Sequence, residues 1–262
     1  RRSLLRDREL LPSPRPRRRS RPYSRKSSRS SNASKNRRPK GETTLSKEEQ
    51  KKRAALEASR LVEDGQVVGL GTGSTAYYMI EELGRRVVEE ELHILGIPTS
   101  KATASLAERF KIPLTTLEEH PNLDIDVDGA DQVDSRLDLI KGMGGALTRE
   151  KVVASAARLF IVIVDEGKMA SRLGEGQLLP IEVIPFAIPT VRQRIERMGR
   201  RPKLRLMKDG SGPFVTDNGN SILDVDFGLI TNPKELEASI KMIPGVVEDG
   251  LFVGMAGAVF VG

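Results

Sequence analysis

From Ser46 onward, apolar residues fall into short runs that alternate with amphipathic stretches, which is the pattern of strands exchanging with helices. Lys47–Val62 places Ala54, Ala55, Ala58 and Leu61 on one helical face, and Ser46 followed by Glu49 predicts a capping box at its start. Strands are predicted at Gln66–Gly71, Leu92–Ile97, Leu123–Asp128 and Phe160–Asp165, separated by helices at Thr75–Glu90, Lys101–Phe110 and Arg149–Leu159. Strands taking turns with helices are joined by crossovers and lie parallel. The rhythm changes near Leu179. Strands at Ile181–Phe186, Lys203–Met207, Phe214–Thr216 and Ser221–Phe227, with helices at Pro189–Met198 and Lys234–Ile240, predict a small α+β, ferredoxin-like lobe. Gly250–Gly254 and Ala258–Val261 are expected to return to the first sheet. The expected fold class is α/β. A mostly parallel, Rossmann-like sheet flanked by helices takes residues 44–178 plus 250–262, and the small lobe takes 179–249.

Charge divides the chain differently. Residues 1–40 hold 16 Lys and Arg against Asp7 and Glu9; removing them from the 43 basic and 36 acidic residues leaves 27 and 34, a net −7. The overall +7 therefore describes the opening segment and is no argument that the body binds nucleic acid. That segment has too little apolar surface to offset its ordering entropy, so residues 1–43 are expected to be a disordered Arg/Ser/Pro-rich tail. Three readings compete for it: an extension with no role comes first, a transit-like peptide second and a nucleic-acid-binding arm third.

The chain has no cysteine and only two histidines, His93 and His120, so neither a disulfide framework nor a metal centre is expected. Its longest apolar run, Leu159 to Val164, is far short of a membrane span. The expectation is a soluble protein of a reducing compartment, the cytoplasm, or of a plastid if the tail is a transit peptide.

Three segments carry candidate chemistry. Gly69-Leu70-Gly71-Thr72-Gly73-Ser74-Thr75 leaves a predicted strand and opens a helix. Glycines permit the sharp turn, backbone N–H groups and the Thr72, Ser74 and Thr75 hydroxyls offer donors, and the helix start favours an anion. Neither nucleotide fingerprint fits, because the Gly-Lys-Ser/Thr ending and the third dinucleotide glycine are both missing. In Asp124-Ile125-Asp126-Val127-Asp128-Gly129-Ala130-Asp131 the acids alternate along a strand. Asp128 is expected at the carboxyl edge, where ligands bind in such sheets, with Asp131 just beyond it; Asp126 is expected to be solvated or capping. Lys141-Gly142-Met143-Gly144-Gly145 offers a cation beside open N–H groups, the parts of an oxyanion hole. Thr148 is expected to cap a helix with Glu150 in its first turn. The helix dipole would lower the pKa of Glu150, and burial would raise it.

In this order and spacing, Gly71 to Ala76, Asp128-Gly129-Ala130-Asp131 and Lys141 through Lys151 resemble ribose-5-phosphate isomerase of the A type, over roughly residues 48 to 262. The resemblance implies interconversion of ribose 5-phosphate and ribulose 5-phosphate without metal or cofactor. It implies that Glu150 is the proton acceptor and that Asp128, Asp131 and Lys141 belong to the catalytic set. It places substrate and phosphate contacts at Thr72, Gly73, Ser74, Thr75, Gly129, Ala130, Gly142, Met143, Gly144, Lys168 and Lys51. It also implies a homodimer or homotetramer. Two other readings stay open here: a non-catalytic sugar-phosphate sensor domain, and a phosphosugar deaminase.

Overall fold

The computed structural model describes residues 45–262. The expected disorder of the tail, and its transit and nucleic-acid readings, lie outside the described residues. The first half of the chain forms α1 (Lys47–Ser59), β1 (Val67–Leu70), α2 (Ser74–Glu89), β2 (Leu95–Pro98), α3 (Lys101–Arg109) and β3 (Leu123–Asp128). Two short strands, β4 (Gln132–Val133) and β5 (Leu139–Ile140), precede α4 (Leu147–Ala156) and β6 (Ala157–Val164). The small lobe follows with β7 (Leu179–Val183), α5 (Ile188–Arg197), β8 (Lys203–Leu204), β9 (Ser221–Val225), α6 (Pro233–Lys241) and β10 (Val246–Asp249). The chain closes with β11 (Leu251–Phe252) and β12 (Ala258–Val261).

Five strands form one parallel sheet in the order β12-β6-β3-β1-β2. Its Val68, Leu70, Ile125, Val127, Ile161 and Ile163 pack with Ala54, Ala55, Ala58, Met79, Ile80 and Leu83 of α1 and α2. The Ser46–Glu49 capping box is present at the start of α1. The small lobe runs βαββαβ with sheet order β10-β7-β9-β8, the ferredoxin-like arrangement. Its apolar cluster also takes in Ile140, Leu173 and Leu251, so the lobe shares a core with the chain on either side of it.

Several boundaries differ from expectation for tertiary reasons. Ala157–Leu159 are strand rather than helix, because Ala157 and Leu159 pair with Leu123 and Ile125 of β3. Ala258–Val261 returns to the large sheet, but Leu251–Phe252 pairs antiparallel with β5 in a separate three-stranded sheet, β11-β5-β4. Phe214–Thr216 is not a strand, and only a single bridge from Leu206 to Pro213 forms there. Val246–Asp249, assigned to no element from the sequence, supplies the fourth strand of the lobe. Thr148 does not cap α4: the helix begins at Leu147, and the Thr148 hydroxyl donates instead to Glu182 at 2.6 Å.

Candidate active site

In the large sheet β1 and β3 are neighbours, while β2 and β6 lie on their opposite sides, so the switch point falls at the carboxyl ends of β1 and β3. The Gly71–Ser74 loop leaves one and the Gly129–Asp131 turn leaves the other. With the Lys141–Gly145 turn and α4 they surround a cavity of about 530 Å³.

Two glycines of β1 make room for two acids of β3. A Cβ at Gly69 would lie 2.4 Å from Asp126 Oδ1, and one at Gly71 would lie 2.3 Å from Asp128 Oδ1. Asp126 is fully buried, and neither of its oxygens has a hydrogen-bond partner. It is therefore neither solvated nor a cap, contrary to the expectation from the sequence. Burial first, and then the charge of Asp128, push its pKa well above the usual carboxylate range.

Asp128 is also fully buried. Its Oδ1 accepts the N–H groups of Thr72 at 2.9 Å and Gly129 at 2.7 Å, joining the β1 loop to the β3 turn. Its Oδ2 lies 3.0 Å from Lys141 Nζ. Asp128 does not line the cavity, whereas Asp131 does, with its Oδ2 accepting the Met143 N–H at 2.9 Å. Met143 itself points away, 43 % exposed and outside the cavity wall.

Lys141 and Glu150 meet on the cavity wall. Lys141 Nζ, itself buried, lies 3.3 Å from Glu150 Oε2 and donates to the Gly129 carbonyl. Gly142 holds φ at +104°, a conformation that favours glycine, and its carbonyl accepts the Gly145 N–H at 3.0 Å, which closes the turn. Gly142 and Gly144 line the cavity, and their N–H groups donate to no acceptor among the described residues.

Glu150 is 4 % exposed, and its Oε2 has no hydrogen-bond partner. Burial raises its pKa to about 8. Lys141 pulls it down, and Asp128 and Asp131 push it back up. Burial thus outweighs the pull of Lys141. Burial also works against the Lys141 ammonium, but Asp128 and Glu150 together hold its pKa above the ordinary lysine value.

The other end of the cavity suits an anion. Helix α2 starts at Ser74 with no side-chain cap on its first N–H groups, and Ser74 and Thr75 line the wall with Gly73. Thr72 lines the wall as well, with its hydroxyl within 2.7–3.0 Å of the hydroxyls of Thr99, Ser100 and Thr103. Lys51 and Lys168 both reach the wall, Lys51 being 3.4 Å from Glu48. Gly129 and Ala130 complete it on the β3 side.

Sequence reasoning missed Lys47, Gln132, Glu175 and Gln177, which also line the cavity. Gln132 accepts the Gly174 N–H at 2.7 Å and donates to the Glu175 carbonyl at 3.0 Å, bringing that distant loop to the wall. Only the adjacency of Gln132 to Asp131 hinted at it.

Comparison with known proteins gives a consistent result. The family profile described as "Ribose 5-phosphate isomerase A (phosphoriboisomerase A)" matches residues 95–262. Ribose-5-phosphate isomerase A of Methanothermobacter thermautotrophicus is 52% identical over 212 residues, covering 81% of this chain and 93% of its own. The solved structure of ribose 5-phosphate isomerase A from Methanocaldococcus jannaschii superposes with a TM-score of 0.80 at 48% identity, covering 83% of this chain and 96% of that one. A structure of D-ribose-5-phosphate isomerase in complex with phospho-erythronic acid superposes with a TM-score of 0.81 at 43% identity and the same coverage.

Proposed function

This chain belongs to the ribose 5-phosphate isomerase A family, and from that premise we propose that Glu150 is the base of its aldose–ketose isomerisation. The reaction interconverts D-ribose 5-phosphate and D-ribulose 5-phosphate, a step of the non-oxidative pentose phosphate pathway. One observation carries the assignment of the base: a carboxyl 4 % exposed, with a buried lysine 3.3 Å from its Oε2 and no hydroxyl or amide donor, lies on the wall of a cavity whose other end suits a phosphate.

The phosphate seats on the first N–H groups of α2 and the Ser74 and Thr75 hydroxyls, with Lys51 and Lys168 beside it. Asp131 assists opening of the furanose ring by exchanging a hydroxyl proton. In the open aldose Glu150 removes the proton from C2, and the C–H electrons form the C1=C2 bond while the aldehyde oxygen O1 takes the negative charge. Lys141 and the N–H groups of Gly142 and Gly144 stabilise that oxyanion. O1 then takes the O2 hydroxyl proton, and Glu150 returns its proton to C1 as C2=O forms. Asp128 acts through Lys141, holding its ammonium at 3.0 Å rather than touching substrate.

No step calls for a metal, because the lysine supplies the positive charge. The direct test is ketose formation from ribose 5-phosphate with and without EDTA. Full activity in chelator is expected, and reversible loss would remove the metal-free mechanism.

Among the described residues no helix is long and apolar enough to cross a membrane. The family resemblance supports a homodimer or homotetramer, which light scattering decides. We infer a cytoplasmic enzyme, or a plastid one if residues 1–43 act as a transit peptide; N-terminal sequencing of native protein tests this. A salt-dependent shift of labelled nucleic acid by the full chain, lost on removing residues 1–43, would assign the basic segment a binding role instead.

A further inference from the structure

A second buried cation, Lys151, follows Glu150 directly in the chain and faces the small lobe. Its Nζ lies 2.9 Å from Glu248, 3.1 Å from Glu237 and 3.8 Å from Asp249. Glu248 is also paired with Lys241 of α6. Asp249 is fully buried, with Oδ1 accepting the Leu251 N–H at 2.9 Å and Oδ2 unpartnered.

The residues after Asp249 hold Lys141. The Gly250 carbonyl accepts the Lys141 N–H at 2.9 Å, and the approach is so close that a Cβ on Gly250 would lie 2.3 Å from the Lys141 carbonyl oxygen. Leu251 pairs with Ile140. The buried Phe252 ring has Lys141 Nζ 5.5 Å and Lys151 Nζ 5.0 Å from its centre. Residues 248–252 therefore grip the lysine of the oxyanion site by backbone and ring, and grip the neighbour of the base by charge.

We propose that Lys151 is a positioning residue whose ion pairs to Glu237, Glu248 and Asp249 clamp the first turn of α4 to the segment that holds Lys141, thereby setting the separation of Lys141 and Glu150. The inference rests on the reading of Glu150 as base. Removing one partner of a buried ion pair also destabilises the fold, so Tm is followed beside the kinetics to separate lost stability from lost positioning. Burial pushes Asp249 up to about 7, so it can take a proton once the lysine is gone.

The test compares pH profiles of kcat and KM for wild type, Lys151→Met, Lys151→Arg, Glu248→Gln and Glu150→Gln. A misplacement near 1 Å costs up to about 100-fold, so Lys151→Met should lower kcat about 10- to 100-fold with KM changed less than about threefold. The pH midpoint of activity should move upward, because proximity to Lys141 is what holds Glu150 down. Lys151→Arg should restore both values. The charges that face Lys151 are Glu237 and Lys241 of α6, Glu248 and Asp249 of β10, and Lys141 across the Phe252 ring, and Lys151→Met leaves all of these in place.

Wild-type kcat and midpoint in Lys151→Met, even with a lowered Tm, overturn the proposal. If that variant does not fold, Glu248→Gln decides: a smaller loss of kcat with the same upward shift supports the clamp, and an unchanged profile overturns it. Turnover retained in Glu150→Gln would remove the base and this inference together. Turnover lost there beside an unaltered Lys151→Met would remove the clamp alone.

Discussion

Glu182 of β7 and Glu150 of α4 are both taken out of water, yet the fold treats them in opposite ways. Glu182 is saturated. Its Oε1 accepts from Thr216 at 2.9 Å, Asn218 at 3.2 Å and Asn220 at 2.8 Å, and its Oε2 accepts from Thr148 at 2.6 Å. Glu150 has one partner, Lys141 at 3.3 Å from its Oε2, and no hydroxyl or amide donor. Hydrogen bonds to a carboxylate favour its charged form, and burial without them favours protonation. A saturated buried acid works as a staple, here tying the 216–220 turn to the start of α4. A buried acid left short of partners is free to exchange a proton with a substrate.

The sharpest way to break this contrast is Glu150→Gln. General-base catalysis contributes about 10²–10⁴-fold, so kcat for ribose 5-phosphate isomerisation should fall by that range, and near-native turnover would end the assignment. In wild type, kcat/KM should climb with pH and level off above about 8, where the carboxyl ionises. The same variant should change stability in a pH-dependent way. Between the unfolded carboxyl pKa and about 8 the folded protein holds a proton that the unfolded chain has lost, so wild-type stability falls as pH rises through that window. The Tm advantage of Glu150→Gln over wild type should therefore grow from pH 5 to about 8 and then hold steady in calorimetric scans.

Next comes Lys141→Met. One preorganised oxyanion donor is worth about 2.7–4 kcal/mol, so turnover should drop roughly a hundredfold or more, with KM moved far less. Steady-state kinetics showing a change in KM alone would place Lys141 in ground-state binding instead.

The smallest effect on turnover belongs to Glu182→Gln. Leaving buried hydroxyl and amide donors short of an acceptor costs about 1–3 kcal/mol, so the urea midpoint should fall while kcat stays within about threefold of wild type. A loss of activity comparable to that of Glu150→Gln would erase the distinction between the two glutamates.

Much of this architecture was legible because it is local. The bounds of β3, the Ser46–Glu49 capping box and the strand–helix alternation follow from side-chain period and end chemistry that nearby residues set by themselves. Harder to read were the two-residue strands β4 and β5, which pair with each other and, through β5, with β11 more than a hundred residues away, and β10, which is held by β7. The Thr72 hydroxyl had the right position for an anion but a nearer use with Thr99, Ser100 and Thr103. Lys47 carried no pattern that separated it from an ordinary first-turn lysine, and only the folded cavity brings it to the wall.

The sequence by itself determined the kind of chemistry: glycines and hydroxyls opening a helix for an anion, acids at a strand's end, and a lysine with a glutamate nine residues beyond it. Those identities and spacings limit which groups can meet at the crevice. Tertiary structure alone decided how each group is ionised. Asp126 is pushed toward its protonated form because burial against Gly69 leaves it no hydrogen-bond partner, and Asp128 is committed to Lys141 rather than to the cavity. Glu150 stands near 8 because burial outweighs its lysine. Desolvation and through-space charge depend on what surrounds an atom in three dimensions, and no local stretch of chain contains that information.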